Sequence, residues 1–293
     1  MKLVKYIILL NMLCVLVGCS VAKKSNRLTD YVNPFIGTAT LWDSTELGYK
    51  PTRRAWGAEV YPGASLPNSM VQVTPVTMWR SGSGYQYEDT VIYASKGHWN
   101  LCYVPFIGVS GEVEPKTYYS SYSHEHESAS PGYYQVYLEK YDINAEVTST
   151  LRCAYHKYTY KDGKNKKLLA DLARSNEHGK DWKLEKRDNN VFIGYQKAGS
   201  TFYFYAVTNH KIRNIESLKD DETEVSVVNF LDNDDIAEPL ELKVGFSYVS
   251  VENAKENLES EMLAKSFSQV RTEAEESWEK LLSKIRVIGG TEE

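Results

Sequence analysis

Two short stretches carry residue types that do chemistry. His124-Glu125-His126-Glu127 alternates imidazole and carboxylate. Alternate residues on a strand share a face, so this spacing predicts two imidazoles on one side and two carboxylates on the other. Two imidazoles can approach a metal, but two ligands make no site, and the pattern also suits a polar strand edge bonded to neighbouring backbone. The second stretch is Trp79-Arg80-Ser81-Gly82-Ser83-Gly84-Tyr85-Gln86-Tyr87, followed by Gly97-His98-Trp99-Asn100. Rings beside Arg, Gln, His and Asn on glycine-hinged loops suit a sugar, which stacks its C–H face and bonds through its hydroxyls. The same rings would also close the end of a β-sandwich.

Glycoside hydrolysis needs two carboxylates across the scissile bond, roughly 5–9.5 Å apart. Asp234-Asp235 lies in an acidic loop and Glu275-Glu276 on a solvated helix. Neither has the apolar setting that raises a carboxyl pKa, so no catalytic residue is assigned. The chain has no G-x-S-x-G, P-loop, H-E-x-x-H or helix-opening G-x-G-x-x-G. It has no C-x-x-C pair either, and no metal site is assigned.

These residues need a scaffold, and 293 residues hold one large domain or two small ones. A net charge of −5 excludes a general nucleic-acid binder. The 22 Tyr, 6 Trp and 8 Phe point to sheet, where flat rings pack on a pleated surface. Met1–Cys19 reads as a signal: Lys2 and Lys5, an apolar run from Tyr6 to Val17, then Leu16-Val17-Gly18-Cys19. That ending resembles the bacterial lipoprotein signal, which implies lipidation of Cys19 and anchoring to the bacterial outer membrane, on its periplasmic or surface face. Residues 20–30 then form a polar tether. Of the remaining cysteines, Cys102 and Cys153 read as buried free thiols, with a disulfide as the alternative.

From residue 31 to 250, period-2 runs recur between turns such as Lys161-Asp162-Gly163. The clearest predicts one strand with Ile143, Ala145, Val147, Ser149, Leu151, Cys153 and Tyr155 on its apolar face. Others cover 133–139, 166–172, 190–197, 201–208, 222–231 and 240–250. Strands at this spacing without long intervening helices predict an all-β, antiparallel β-sandwich. Beyond Ser250 the period becomes helical, and Val270, Ala274, Trp278, Leu281, Leu282 and Ile285 fall on one stripe. Residues 251–293 are therefore expected to be a helical linker whose stripe is uncovered without a further domain.

The ordered blocks Tyr31-Val32-Asn33-Pro34-Phe35-Ile36-Gly37-Thr38, Tyr61-Pro62-Gly63-Ala64-Ser65-Leu66-Pro67, Gly84-Tyr85-Gln86-Tyr87, Pro131-Gly132-Tyr133-Tyr134 and Glu146-Val147-Thr148-Ser149-Thr150-Leu151-Arg152 resemble glycoside hydrolase family 92, bacterial calcium-dependent exo-α-mannosidases. The resemblance implies a galactose-mutarotase-like supersandwich joined by helices to an (α/α)6 barrel. It implies that the catalytic carboxylates and calcium belong to that barrel, which lies beyond this sequence. It makes a mannose-containing glycan the expected partner, with Trp79, Tyr85 and His98 as substrate-binding residues on loops that close the pocket. Two stretches depart from the family pattern: a shortened run between Ile92 and Trp99, and a lengthened one between Thr38 and Tyr61. The expectation is a pocket-completing lipoprotein domain, inactive alone. A stand-alone mannoside-binding lipoprotein and one half of a split enzyme are the alternatives.

Overall fold

The computed structural model describes residues 27–41, 44–50, 55–56, 60–97, 103–162, 165–176, 179, 181–221, 223–231, 237–287 and 289. Nineteen strands are present among them. Two pairs stand apart from the main sheets: β1 (Thr40–Leu41) with β2 (Ala55–Trp56), and β5 (Val91–Ile92) with β8 (Ser120–Ser121). The seven-stranded sheet uses β3 (Ala64–Ser65), β4 (Gln72–Val76), β6 (Ala94–Lys96), β7 (Phe106–Val109), β13 (Lys167–Ala170), β17 (Ile212–Lys219) and β18 (Glu224–Phe230), in the order β17-β18-β13-β7-β6-β4-β3. The eight-stranded sheet uses β9 (Glu127–Ser130), β10 (Tyr133–Leu138), β11 (Ile143–Ser149), β12 (Cys153–Tyr160), β14 (Asp181–Asp188), β15 (Val191–Ala198), β16 (Ser200–Thr208) and β19 (Leu240–Ser247), in the order β14-β15-β16-β19-β12-β11-β10-β9.

Every described pairing in the two large sheets is antiparallel. Their inner faces share one core, in which Phe106, Phe192 and Phe204 meet edge to face. This is the all-β antiparallel sandwich that the alternation predicts.

The long strand expected through 143–155 is a hairpin instead. Ser149 pairs with Ala154, and the Thr150 amide donates to the Cys153 carbonyl (2.9 Å), with Leu151 exposed at the turn. In this register odd-numbered residues face even-numbered ones. Ile143, Ala145 and Val147 therefore join the main core with Ala154 and Tyr158, while Cys153 and Tyr155 point to the opposite side of the sheet. The edge strands β14 and β17 were not among the sequence expectations. Their sequences, Asp-Trp-Lys-Leu-Glu-Lys-Arg-Asp and Ile-Arg-Asn-Ile-Glu-Ser-Leu-Lys, carry the charges that keep an edge from pairing with another chain, and such charges mask alternation.

Helices α1 (Val251–Glu261) and α2 (Phe267–Leu282) lie on the outer face of the eight-stranded sheet. Ser250 caps α1 by accepting from the Asn253 amide, and Ser266 with Gln269 forms a full capping box on α2. Leu258, Met262, Phe267 and Val270 pack on Tyr133, Cys153 and Tyr155 in a second cluster. Gly245 makes room for α1, since a Cβ there would lie 2.2 Å from the Ala254 carbonyl oxygen. The expectation of an uncovered stripe is therefore corrected over its first half: Val270 and Ala274 are buried, and the Trp278 indole donates to the Ser65 carbonyl (2.6 Å). Leu281 and Ile285 remain exposed. The segment ahead of the sandwich is tied to the same helix. The Thr29 amide donates to Glu279 (3.0 Å), and Arg27 pairs with Glu275 (3.2 Å).

Candidate functional site

The loop after β4 is built to hold an aromatic group. The Thr77 and Met78 amides both donate to the Gly84 carbonyl, closing the turn that carries Trp79. Gly84 sits at φ +80, where an L side chain is strained, and a Cβ there would meet the Lys96 Nζ at 3.0 Å. Lys96 is fully buried beneath the loop. It donates to the Gly82 carbonyl (3.2 Å) and lies 4.1 Å from the Tyr103 ring centroid, and burial holds its pKa well below the ordinary lysine value. The Tyr103 hydroxyl donates to the Ser81 carbonyl.

Trp79 is half-buried in this setting. Tyr103 stacks on it at 6.0 Å, Tyr93 lies 5.6 Å away, and the Arg174 guanidinium is 5.7 Å from its ring. Tyr93 extends the group to Tyr119 (5.4 Å). Arg174 faces Asp171 (3.6 Å) and donates to Thr223. Asp171 is fully buried and accepts from the Tyr118 hydroxyl (2.5 Å); desolvation, the largest influence, pushes its pKa up to about 6. The Trp79 Nε1 and the Asp171 Oδ1 are both buried with no hydrogen-bond partner among the described residues. Half-exposed aromatic rings beside an arginine make a polar, aromatic-walled corner, with the indole N–H buried behind it. Its chemistry is that of hydroxyl-bearing ligands.

Of the three substrate-binding residues expected from the sequence, only Trp79 stands in this corner. Tyr85 is fully buried, and its hydroxyl donates to Glu127 (3.1 Å), so its ring presents no face to a ligand. His98 lies outside the described residues, as do Cys19 and Cys102. Cys153 is a buried free thiol.

The His-Glu-His-Glu segment is not a strand with two polar faces. Ser123 caps a single 3-10 turn over His124–His126, and the strand begins only at Glu127. The Glu127 carboxylate turns inward, with its side chain 1% exposed, and gathers Tyr85, Tyr134 (2.6 Å) and His124 (2.6 Å). Among the described residues no three His, Cys, Asp or Glu side chains come together as metal ligands. Asp234-Asp235 is outside the described residues, and Glu275 is occupied by Arg27.

Sequence reasoning missed Asp171, Arg174 and Lys96. Asp171 interrupts the apolar run Leu168-Leu169-Ala170-Asp171-Leu172, and a carboxylate in such a run must find partners, which was the available signal.

Two packed antiparallel sheets with a helical cap and a tryptophan–arginine corner define a β-supersandwich domain. The model of the glycosyl hydrolase family 92 N-terminal domain matches residues 31–260, and the chain belongs to that family. Among solved structures it is similar to the family GH92 α-mannosidase BT3965 from Bacteroides thetaiotaomicron, with 25% identity and a TM-score of 0.75 over 91% of this chain and 39% of that one. The inverting mannosidase BT2199 from Bacteroides thetaiotaomicron VPI-5482 shares the fold at 19% identity and TM-score 0.75, over 92% of this chain and 38% of that one. The chain thus spans under two fifths of the length of these relatives. No curated protein matches it by sequence.

Proposed function

We propose that this chain is the mannoside-contacting N-terminal part of an α-mannosidase system, held to the bacterial outer membrane through a lipidated Cys19. Three segments follow the signal in this reading: a tether over 20–30, the sandwich over 31–250 and a helical connector over 251–293. The observation that carries the glycan contact is the Trp79 corner, where a half-exposed indole stands with Tyr93, Tyr119 and Arg174. Membership of the family, whose solved relatives include α-mannosidases, supports mannose as the sugar.

In this reading the chain completes a pocket and does not hydrolyse alone. The buried carboxylates Glu127 and Asp171 are both held by internal tyrosine donors. The catalytic groups and calcium belong to a barrel domain, encoded with this sandwich or separately.

The test is titration of the purified chain with methyl α-D-mannopyranoside, followed by indole and arginine side-chain NMR signals, beside a mannose-release assay with calcium. The expected result is weak, saturable binding lost in Trp79→Ala, with no mannose released. Binding unaffected by Trp79→Ala would refute the site. Release abolished by mutating a carboxylate of this chain would refute the inactivity. Mass spectrometry of the mature protein tests the anchor: an N-terminus other than acylated Cys19 would refute it.

A further inference from the structure

The wet face of the eight-stranded sheet is mostly self-satisfied. The Tyr133 hydroxyl lies 2.7 Å from the Gln135 Oε1 and 2.9 Å from Glu146, its single hydrogen shared between them, Lys157 donates to Glu146 (2.9 Å), and Tyr155 donates to Glu241 (2.6 Å). This network stops at one corner. Strand β9 pairs with β10 only as far as Glu127 opposite Val136, so the last residues of β10 are paired with β11 on one side and have no strand on the other. There the Ser123-capped turn lifts Glu125 and His126 off the sheet edge as a wall. Gln135, Tyr137 and Asn144 form the floor, with Tyr137 and Asn144 paired across β10 and β11. The recess is an open depression of about 370 Å3, within the usual size range of small-ligand sites.

What distinguishes the recess is what its side chains leave unused. The Asn144 amide, the Glu125 carboxylate and both His126 ring nitrogens make no hydrogen bond among the described residues. Gln135 engages only its carbonyl oxygen, leaving its NH2 free to donate. Tyr137 spends its hydroxyl on Asp142 (2.6 Å), and its ring stands edge-on to His126 at 6.1 Å. The corner therefore converges two amides, a carboxylate and an imidazole around an aromatic ring. Adjacent amide and carboxylate groups match vicinal hydroxyls, which each donate and accept, while the ring takes C–H groups. Glu125, with the buried Glu127 carboxylate behind it, disfavours an anion.

We propose that this recess is a second saccharide site, taking one neutral sugar residue of a glycan and separate from the Trp79 corner. It lies on the outer face of the eight-stranded sheet, whereas Trp79 stands on a loop of the seven-stranded sheet. The site extends the glycan-contact reading above and relies on it only for the choice of probe. One chain would then hold a branched or extended glycan at two points, raising avidity without a new contact at either.

The test is titration of the full chain with an α-linked mannotetraose, read by side-chain amide NMR signals. Saturable shifts are expected at the Asn144 and Gln135 amides. Asn144→Ala with His126→Ala should weaken the affinity for these shifts at least about tenfold. Trp79→Ala should leave them in place. If the two amides stay unmoved, or if Trp79→Ala abolishes every shift, the second site is overturned; in the latter case the Trp79 reading stands. Shifts at the recess with none at Trp79 would support the second site and refute the first. A double variant with unchanged circular dichroism that still shifts at Gln135 with unaltered affinity would also overturn it.

Discussion

His124 bridges the Glu127 carboxylate and the backbone of Tyr87. The His124 Nε2 lies 2.7 Å from the Tyr87 carbonyl, which can only accept, so that nitrogen carries a hydrogen. The Nδ1 lies 2.6 Å from the Glu127 carboxylate. The imidazole is stacked flat on the Tyr87 ring, 4.0 Å between centroids and 5° between planes. One ring thus joins the Gly84–Tyr87 loop to the start of β9, and Phe35 packs against both Tyr85 and Tyr87 from the N-terminal side.

Removing the carboxylate leaves the Tyr85, Tyr134 and His124 donors without their acceptor. Buried donors deprived of a charged acceptor cost several kcal/mol together, less what water entry recovers. Glu127→Leu should lower unfolding stability by about 3 kcal/mol. Urea denaturation measures it, and a loss within about 0.5 kcal/mol of zero, the range of ordinary surface changes, would show that the knot is not structural.

Two buried groups give the stability opposing pH dependences. Burial raises the Asp171 pKa from 3.8 to about 6, so its contribution is fully present below 3.8 and is lost as the pH rises through 6. Burial lowers the His156 pKa from 6.5 to about 3, so its contribution is present above 6.5 and is lost as the pH falls towards 3. The Asp171 shift corresponds to about 3 kcal/mol. Between about pH 4 and 6 the two slopes oppose each other, and the parent chain should show little net change there. Asp171→Asn should leave the His156 slope uncovered, with stability climbing from pH 4 to 6. His156→Phe should do the reverse. Parallel pH profiles for all three proteins would refute the assignment.

Much of the scaffold was legible because alternation and helical period report directly on which face is buried. The strands 201–208 and 240–250 were expected and appear as Ser200–Thr208 and Leu240–Ser247. The turn at Thr150–Arg152 was hidden because apolar Leu151 and Cys153 alternate with polar Thr150 and Arg152, so the period-2 pattern runs on across the bend. The candidate site was legible at Trp79, whose indole sits on a glycine-rich loop, and not at Asp171 or Arg174. Both are far from Trp79 in sequence; Arg174 reaches its ring, and Asp171 faces Arg174, just past the end of β13. The His-Glu-His-Glu motif misled for a local reason: a serine ahead of it caps a turn, so period 2 never starts.

At the contact between α1 and β19 the tolerance is small. A Cβ on Gly245 would lie 2.2 Å from the Ala254 carbonyl oxygen and 2.8 Å from the Leu258 Cβ, and neither is a flexible side-chain end. Gly245→Ala should therefore push α1 off the sheet and cost about 1–3 kcal/mol, as overpacking does. Thermal unfolding reports it, and an unchanged midpoint would mean that the helix shifts freely.

The helices cover a surface that the sheet cannot leave wet. Tyr133, Cys153 and Tyr155 point away from the main core and are buried by Leu258, Met262, Phe267 and Val270. The Phe267 ring stands edge-on to Tyr155 at 5.2 Å, and the Arg271 guanidinium lies 3.6 Å from the Tyr133 ring. Burial of each large side chain contributes roughly 1.5–3 kcal/mol, so deleting both helices removes several kcal/mol and uncovers an apolar face. The uncovered-stripe expectation would have a chain ending at Ser250 less prone to associate; the observed packing reverses that. The chain ending at Ser250 should self-associate in sedimentation, while the longer chain should not. Cys153 gives an independent readout, because its thiol is buried under these helices. In a Cys102→Ser background it should react slowly with a thiol reagent in the full chain and quickly after truncation. A monomeric truncated chain with an unreactive Cys153 would mean that another part of the chain covers the sheet, and that α1 and α2 are dispensable to it.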